Sequence, residues 1–129
     1  MTDKEFIPYE QALALKELGF DEPCFAKYFQ QDGNTPFIQI GETEIEEAES
    51  AGDDVTFECE SPLYQQAFRW FREKHGLSGL IEIGTQEFSY QVFNDKGNRQ
   101  LGNEPLKYNG IYEEAELECL KNLILIVKK

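Results

Sequence analysis

The chain has a single histidine, His75, and three scattered cysteines, Cys24, Cys59 and Cys119. Nucleophilic thiol chemistry needs a cysteine beside a base, and these spacings single out no such pair. His75 falls in the last turn of a predicted helix, just before Gly76. The helix dipole and the cap explain a histidine there without any acid–base role. A structural zinc site needs four ligands, usually with two of them closely spaced; no C-x-x-C occurs. Asp32-Gly33-Asn34 loosely resembles the start of a calcium loop, but its glycine is misplaced and no ladder of ligands follows. A hairpin turn is the plainer reading. Neither phosphate-cradling motif, G-x-x-x-x-G-K-[ST] or G-x-G-x-x-G, is present. Gly76-Leu77-Ser78-Gly79 lacks the lysine and the following helix. Carboxylates are so numerous that no pair stands out for glycosidase-type chemistry. The expectation is a protein that is not an enzyme and uses no metal or cofactor.

Charge is the property that could act on a partner. The net charge is −13. Nine acids lie between positions 42 and 60, with no lysine or arginine among them: Glu42, Glu44, Glu46, Glu47, Glu49, Asp53, Asp54, Glu58 and Glu60. Outside that segment 16 acids face 12 bases, a net of −4. Binding to nucleic-acid phosphates requires clustered lysine and arginine, so direct nucleic-acid binding is not expected. A protein partner with a basic surface is. Glu42, Glu44 and Glu46 alternate, as do Glu58 and Glu60. In an extended chain each series points one way, about 6.8 Å between charges. Such an array can imitate a phosphate backbone. The plain alternative is a solvated loop that keeps the protein soluble.

The elements that must position these residues follow from periodicity. Tyr9-Glu10-Gln11-Ala12, Tyr64-Gln65-Gln66-Ala67 and Tyr112-Glu113-Glu114-Ala115 each open a helical stretch. Pro8 suits the first helical position and Gly19 a C-terminal cap. Ser61-Pro62 reads as an N-cap serine before a proline. Strands are predicted from Cys24 to Gln30, Phe37 to Ile40, Val55 to Glu60, Leu80 to Ile83 and Phe88 to Val92. Alternation places Val55, Phe57 and Cys59 on one face of their strand. Leu63, Ala67, Trp70 and Phe71 form one helix face, and Ala115, Cys119, Leu120, Leu123, Ile124 and Val127 another. Trp70 and Phe71 are expected in the core.

The fold class expected is α+β, a largely antiparallel sheet with three helices, built from a duplicated α-β-β unit and a C-terminal helix. A single domain is expected over 1–129. Its repeat halves run over 8–41 and 62–98, with an acidic insertion at 42–60 and a closing helix at 110–128. Turns at Asp32-Gly33-Asn34 and Asp95-Lys96-Gly97-Asn98 mark corresponding points. The nearest familiar arrangement is the double-stranded-RNA-binding fold, whose function the charge rejects. No run reaches the length of a membrane span. Met1-Thr2-Asp3-Lys4-Glu5 lacks the features of a signal peptide, and the cysteines read as reduced thiols.

The stretches Pro8 to Ala12 with Leu18 to Cys24, Ser61-Pro62-Leu63-Tyr64-Gln65-Gln66-Ala67-Phe68-Arg69-Trp70-Phe71-Arg72-Glu73-Lys74, and Tyr112 to Lys121 carry a resemblance. They look like a family of small uncharacterised proteins found in tailed phages and prophages of Bacteroidetes. The resemblance implies a phage-related, cytoplasmic setting (the host cytoplasm for a phage-encoded chain). It implies no activity and assigns no catalytic residue. The function expected is that of a non-enzymatic acidic interaction protein. Its sharpest form inhibits a host nucleic-acid-binding or defence enzyme by mimicking nucleic acid. The alternative is a structural or accessory phage protein with no dedicated active site.

Overall fold

In the computed structural model, which describes residues 3–31, 35–41, 55–84, 88–98, 106–108 and 112–128, the chain divides into two compact units, Met1–Leu63 and Tyr64–Lys129. The fold is α+β. Three α-helices and two three-stranded antiparallel sheets make up the described residues, and a helix comes last.

In the first unit a short 3₁₀ turn, Asp3–Glu5, leads into α1 (Tyr9–Glu17). Pro8 occupies the N-cap with an extended ψ of 158°, one place before the helical position expected of it. Its carbonyl accepts the Ala12 N–H at 2.9 Å and so starts the helical ladder. Gly19 stops the helix at φ +102°. Around it, the Phe20 N–H donates to Leu15 O at 2.9 Å and the Gly19 N–H to Lys16 O at 3.0 Å. These are the two hydrogen bonds of a Schellman motif, accompanied by the buried side chains of Leu15 and Phe20.

The sheet of this unit has the order β2-β1-β3, with β1 at Ala26–Gln31, β2 at Phe37–Ile40 and β3 at Val55–Ser61. Helix α1 packs on β3, and Tyr9 meets Tyr28 edge-on at 5.4 Å. Two sequence expectations fail along β3. Ser61 does not cap a helix; it is the last strand residue, and its hydroxyl donates to Ile7 O at 2.9 Å. A β-bulge also breaks the alternation. Cys59 lies opposite Tyr28, but Phe57 lies opposite Phe29, so Glu58 is the extra residue. Tyr28 and Phe29 point to opposite faces, so Cys59 and Phe57 do too. Cys59 is buried and Phe57 is 44% exposed.

The second unit runs α2 (Tyr64–His75), β4 (Leu77–Ile83), β5 (Phe88–Asn94), β6 (Leu106–Tyr108) and α3 (Tyr112–Lys128). Its sheet order is β4-β5-β6. The strand β6 falls in a stretch whose sequence shows little pattern, and it pairs with β5 through Phe88, Ser89 and Tyr90. Asn94 turns the chain after β5: its side-chain oxygen accepts the Lys96 and Asn98 N–H groups at 3.0 and 2.9 Å. Gln91 on β5 is only 9% exposed, and its amide donates to the Glu82 carboxylate.

The helix faces read from periodicity are the buried ones, except that Leu63 precedes α2 and, like Val127, is only half-buried. Trp70, Phe71, Leu120, Leu123 and Ile124 are all buried, as are Ala67, Ala115 and Cys119. Helices α2 and α3 touch one another and cover β4, and α3 extends over β5. Tyr9, Tyr64 and Tyr112 are each the first residue of their helix. The tightest approach is at Gly79 on β4. A Cβ there would stand 2.8 Å from Cys119 Sγ and 3.4 Å from Leu123 Cδ1. The absence of a side chain lets α3 seat on the strand. No helix among the described residues is long and apolar enough to cross a membrane.

Gly79→Ala should therefore cost about 1–3 kcal/mol through overpacking, and Trp70→Ala about 3–5 kcal/mol through the cavity it leaves. Urea unfolding of both variants checks the pair; a loss under about 1 kcal/mol for Trp70→Ala contradicts its place in the core.

Candidate interaction surface

The division into units sorts the charge completely. Residues 1–63 hold sixteen acids and three bases, a net of −13. Residues 64–129 hold nine acids and nine bases, a net of zero. The whole net charge therefore belongs to the first unit.

Of the nine acids expected to face a partner, Glu42, Glu44, Glu46, Glu47, Glu49, Asp53 and Asp54 lie outside the described residues. Glu58 and Glu60 lie on β3, held by different contacts. Glu60 pairs across the strands with Lys27. Its Oε1 accepts from Lys27 Nζ at 3.2 Å and from the Cys24 N–H at 3.2 Å. Its Oε2 is buried without a hydrogen-bond partner among the described residues. Lys27 Nζ also donates to Cys24 O at 3.3 Å. Glu58 sits at the bulge, where its carbonyl accepts Lys16 Nζ at 2.7 Å. The bulge interrupts the two-residue step that would align Glu58 with Glu60.

The same bulge assembles something that alternation had hidden. Phe29 on the central strand is buried between Phe37 of β2 and Phe57 of β3. The Phe29 and Phe37 rings stack at 6.2 Å, and Phe57 meets Phe29 edge-on at 5.7 Å. Phe37 is 38% exposed, and Phe25, just before β1, is 60% exposed. Lys16 Nζ lies 5.7 Å from the Phe57 ring centroid, a cation over an aromatic face. The sequence points to Trp70 and Phe71 as core aromatics and does not reveal this cluster. Its only trace in the sequence is the spread of Phe25, Phe29, Phe37 and Phe57 over three strands, and the register that joins them depends on the bulge.

The groups considered for chemistry have different surroundings. His75 ends α2 and lies exposed, its ring 4.9 Å from Trp70 and 5.9 Å from Phe71. Cys119 is packed under β4. Burial pushes its thiol up to about 12, against the lowering effect of a hydrogen bond from the Leu80 backbone. Burial likewise raises Cys59, to about 11. Neither is a ready thiolate at neutral pH. Cys24 is half-buried, its thiol 3.4 Å from Glu22 O. No group of three or more His, Cys, Asp or Glu side chains among the described residues is placed to hold a metal ion. On α3, burial and then the charge of Glu113 raise Glu116 to about 6.

No family model, curated protein or solved structure matches the chain.

Two measurements follow from these environments. In the native protein a thiol reagent should modify Cys24 and leave Cys59 and Cys119 untouched until denaturant is added; rapid modification of all three contradicts the burial. Glu116 binds its proton more tightly folded than unfolded, so its carboxylate costs stability above about pH 6 and costs nothing below the usual value of 4.5. Glu116→Gln should accordingly stabilise the protein at pH 7 and leave it unchanged near pH 4, measured by denaturation across that range. Equal effects at both pH values contradict the assignment.

Proposed function

We propose that this chain is a non-enzymatic acidic interaction protein of phage origin, whose first unit engages a protein partner through that partner's basic surface. In its sharpest form it occupies the basic site of a host nucleic-acid-binding or defence enzyme in place of nucleic acid. The observation that carries the reading is the charge split. Solubility alone asks only that the net charge lie away from zero. It does not ask that one unit hold all of it while the other is neutral. Concentrated like charge destabilises the unit that bears it by self-repulsion. The same concentration steers oppositely charged partners and raises their association rate. The second reading is an accessory phage protein whose duplicated scaffold serves assembly; what favours it is the helix followed by an antiparallel strand pair that opens each unit's sheet, α1 with β1–β2 and α2 with β4–β5.

The test begins with affinity capture from host cells, followed by association kinetics of the captured protein. A variant with Glu42, Glu44, Glu46, Glu47 and Glu49 changed to Gln, and Asp53 and Asp54 to Asn, carries −6 in place of −13. Its stability should not fall below the parent's, since removing like charges relieves self-repulsion. Its association should be markedly slower at low salt, the parent rate should fall as salt is added, and duplex DNA should compete with the parent for the partner. A neutralised variant that associates as fast and as tightly as the parent rejects the acidic-docking reading and leaves the accessory role in front.

A further inference from the structure

Three adjacent strands of the first unit present a phenylalanine face. Phe29 is its buried centre, Phe37 and Phe57 flank it half-exposed, and Phe25 lies at the head of β1. An apolar face fits many occupants, and charge narrows the choice. The unit has three bases, Lys4, Lys16 and Lys27. Two of them are already engaged: Lys16 with Glu58 O and the Phe57 ring, Lys27 with Glu60 and Cys24 O. A neutral or acidic segment gains nothing from the field of this unit, and a cationic one is drawn in. Phenyl faces also attract cations directly. The guanidinium group, planar and weakly hydrated, stacks on them better than an ammonium does. Lys16 over Phe57 shows the pairing made within the molecule.

We propose that this phenylalanine face is a docking surface for an arginine-rich segment of a basic protein partner. The proposal rests on the reading of the chain as an acidic interaction protein and adds the chemistry of what it grips. Acidic residues supply the long-range attraction, and the rings select arginine over lysine at contact. The probes are a short oligoarginine peptide and an oligolysine of the same length, titrated calorimetrically at low and moderate salt. The variant is Phe37→Thr with Phe57→Thr, which removes two rings, keeps strand propensity and leaves the net charge unchanged. The parent should bind oligoarginine more tightly than oligolysine. The variant should lose about tenfold in affinity for oligoarginine, in line with two cation–ring contacts, and bind both peptides alike, with its salt dependence retained. Circular dichroism checks its fold; if the double variant does not fold, Phe37→Thr alone decides by the same loss of preference. A variant that keeps the parent's affinity and preference, or a parent with no preference for arginine, overturns the aromatic face and leaves acidic docking standing. A parent that binds neither peptide overturns both.

Discussion

The first unit is held together at one carbonyl. Ile7 O accepts the Ser61 hydroxyl at 2.9 Å and the Tyr28 hydroxyl at 3.0 Å, while the Ile7 N–H donates to Pro62 O at 3.0 Å. Both lone pairs of a fully buried backbone group are thus used, by side chains from the central strand and from an edge strand. Leaving such a group unsatisfied costs about 1–3 kcal/mol. The lead-in before α1 is therefore part of the structure: Phe6 bridges to Leu63 and is buried together with Ile7. The start of α1 is fixed against the far end of β3, and the side of the sheet that α1 covers follows from that. The opposite side is the one left to the phenylalanines.

The second unit depends on steric complementarity at its centre. Gly79 leaves room for Cys119 and Leu123, and α3 settles onto β4 around them. The consequence for chemistry is direct. A cysteine held in so tight a place, with a raised thiol, is a packing residue. The neutral charge balance of this unit matches a role as scaffold.

Much of this was legible in the sequence where local rules decide. The repeated tyrosine-led words mark the three helix starts because each begins an apolar stripe at helical spacing. Gly19 and Gly76 mark the ends of α1 and α2 because both positions need a positive φ, and both have it, at +102° and +64°. The bounds of β2 are those the sequence predicts, Phe37–Ile40; the turn expected at Asp32-Gly33-Asn34 lies outside the described residues. What escaped depends on partners distant in sequence. Ser61-Pro62 has the local look of a helix cap, yet Ser61 finds a better acceptor at Ile7, more than fifty positions away. Alternation placed Phe57 beside Cys59, and only the pairing with β1 shows that Glu58 is an extra residue. The strand β6 has three residues, too few for a period to declare itself. The division of charge between units was visible as an acidic run, but its completeness needed the boundary at Leu63. Of the candidate site, the acids were read from composition; the aromatic face that accompanies two of them was not.

The two sheets share one arrangement reached by different routes. In each, a central strand is flanked by two antiparallel neighbours, but β1 is central in the first and β5 in the second. Strands β4 and β5 are joined locally, from Ile83 to Phe88. Strand β3 can meet β1 only after the whole stretch between Ile40 and Val55 has been traversed. Pairing strands so far apart in sequence costs more chain entropy before any contact rewards it, and repulsion among the acids that lie between them in the sequence adds to the cost. Translation delivers the acidic unit first. The polyanionic half of the chain is thus complete before the electrically balanced half exists, and counterions that screen its acids should favour its folding more than that of the half that follows.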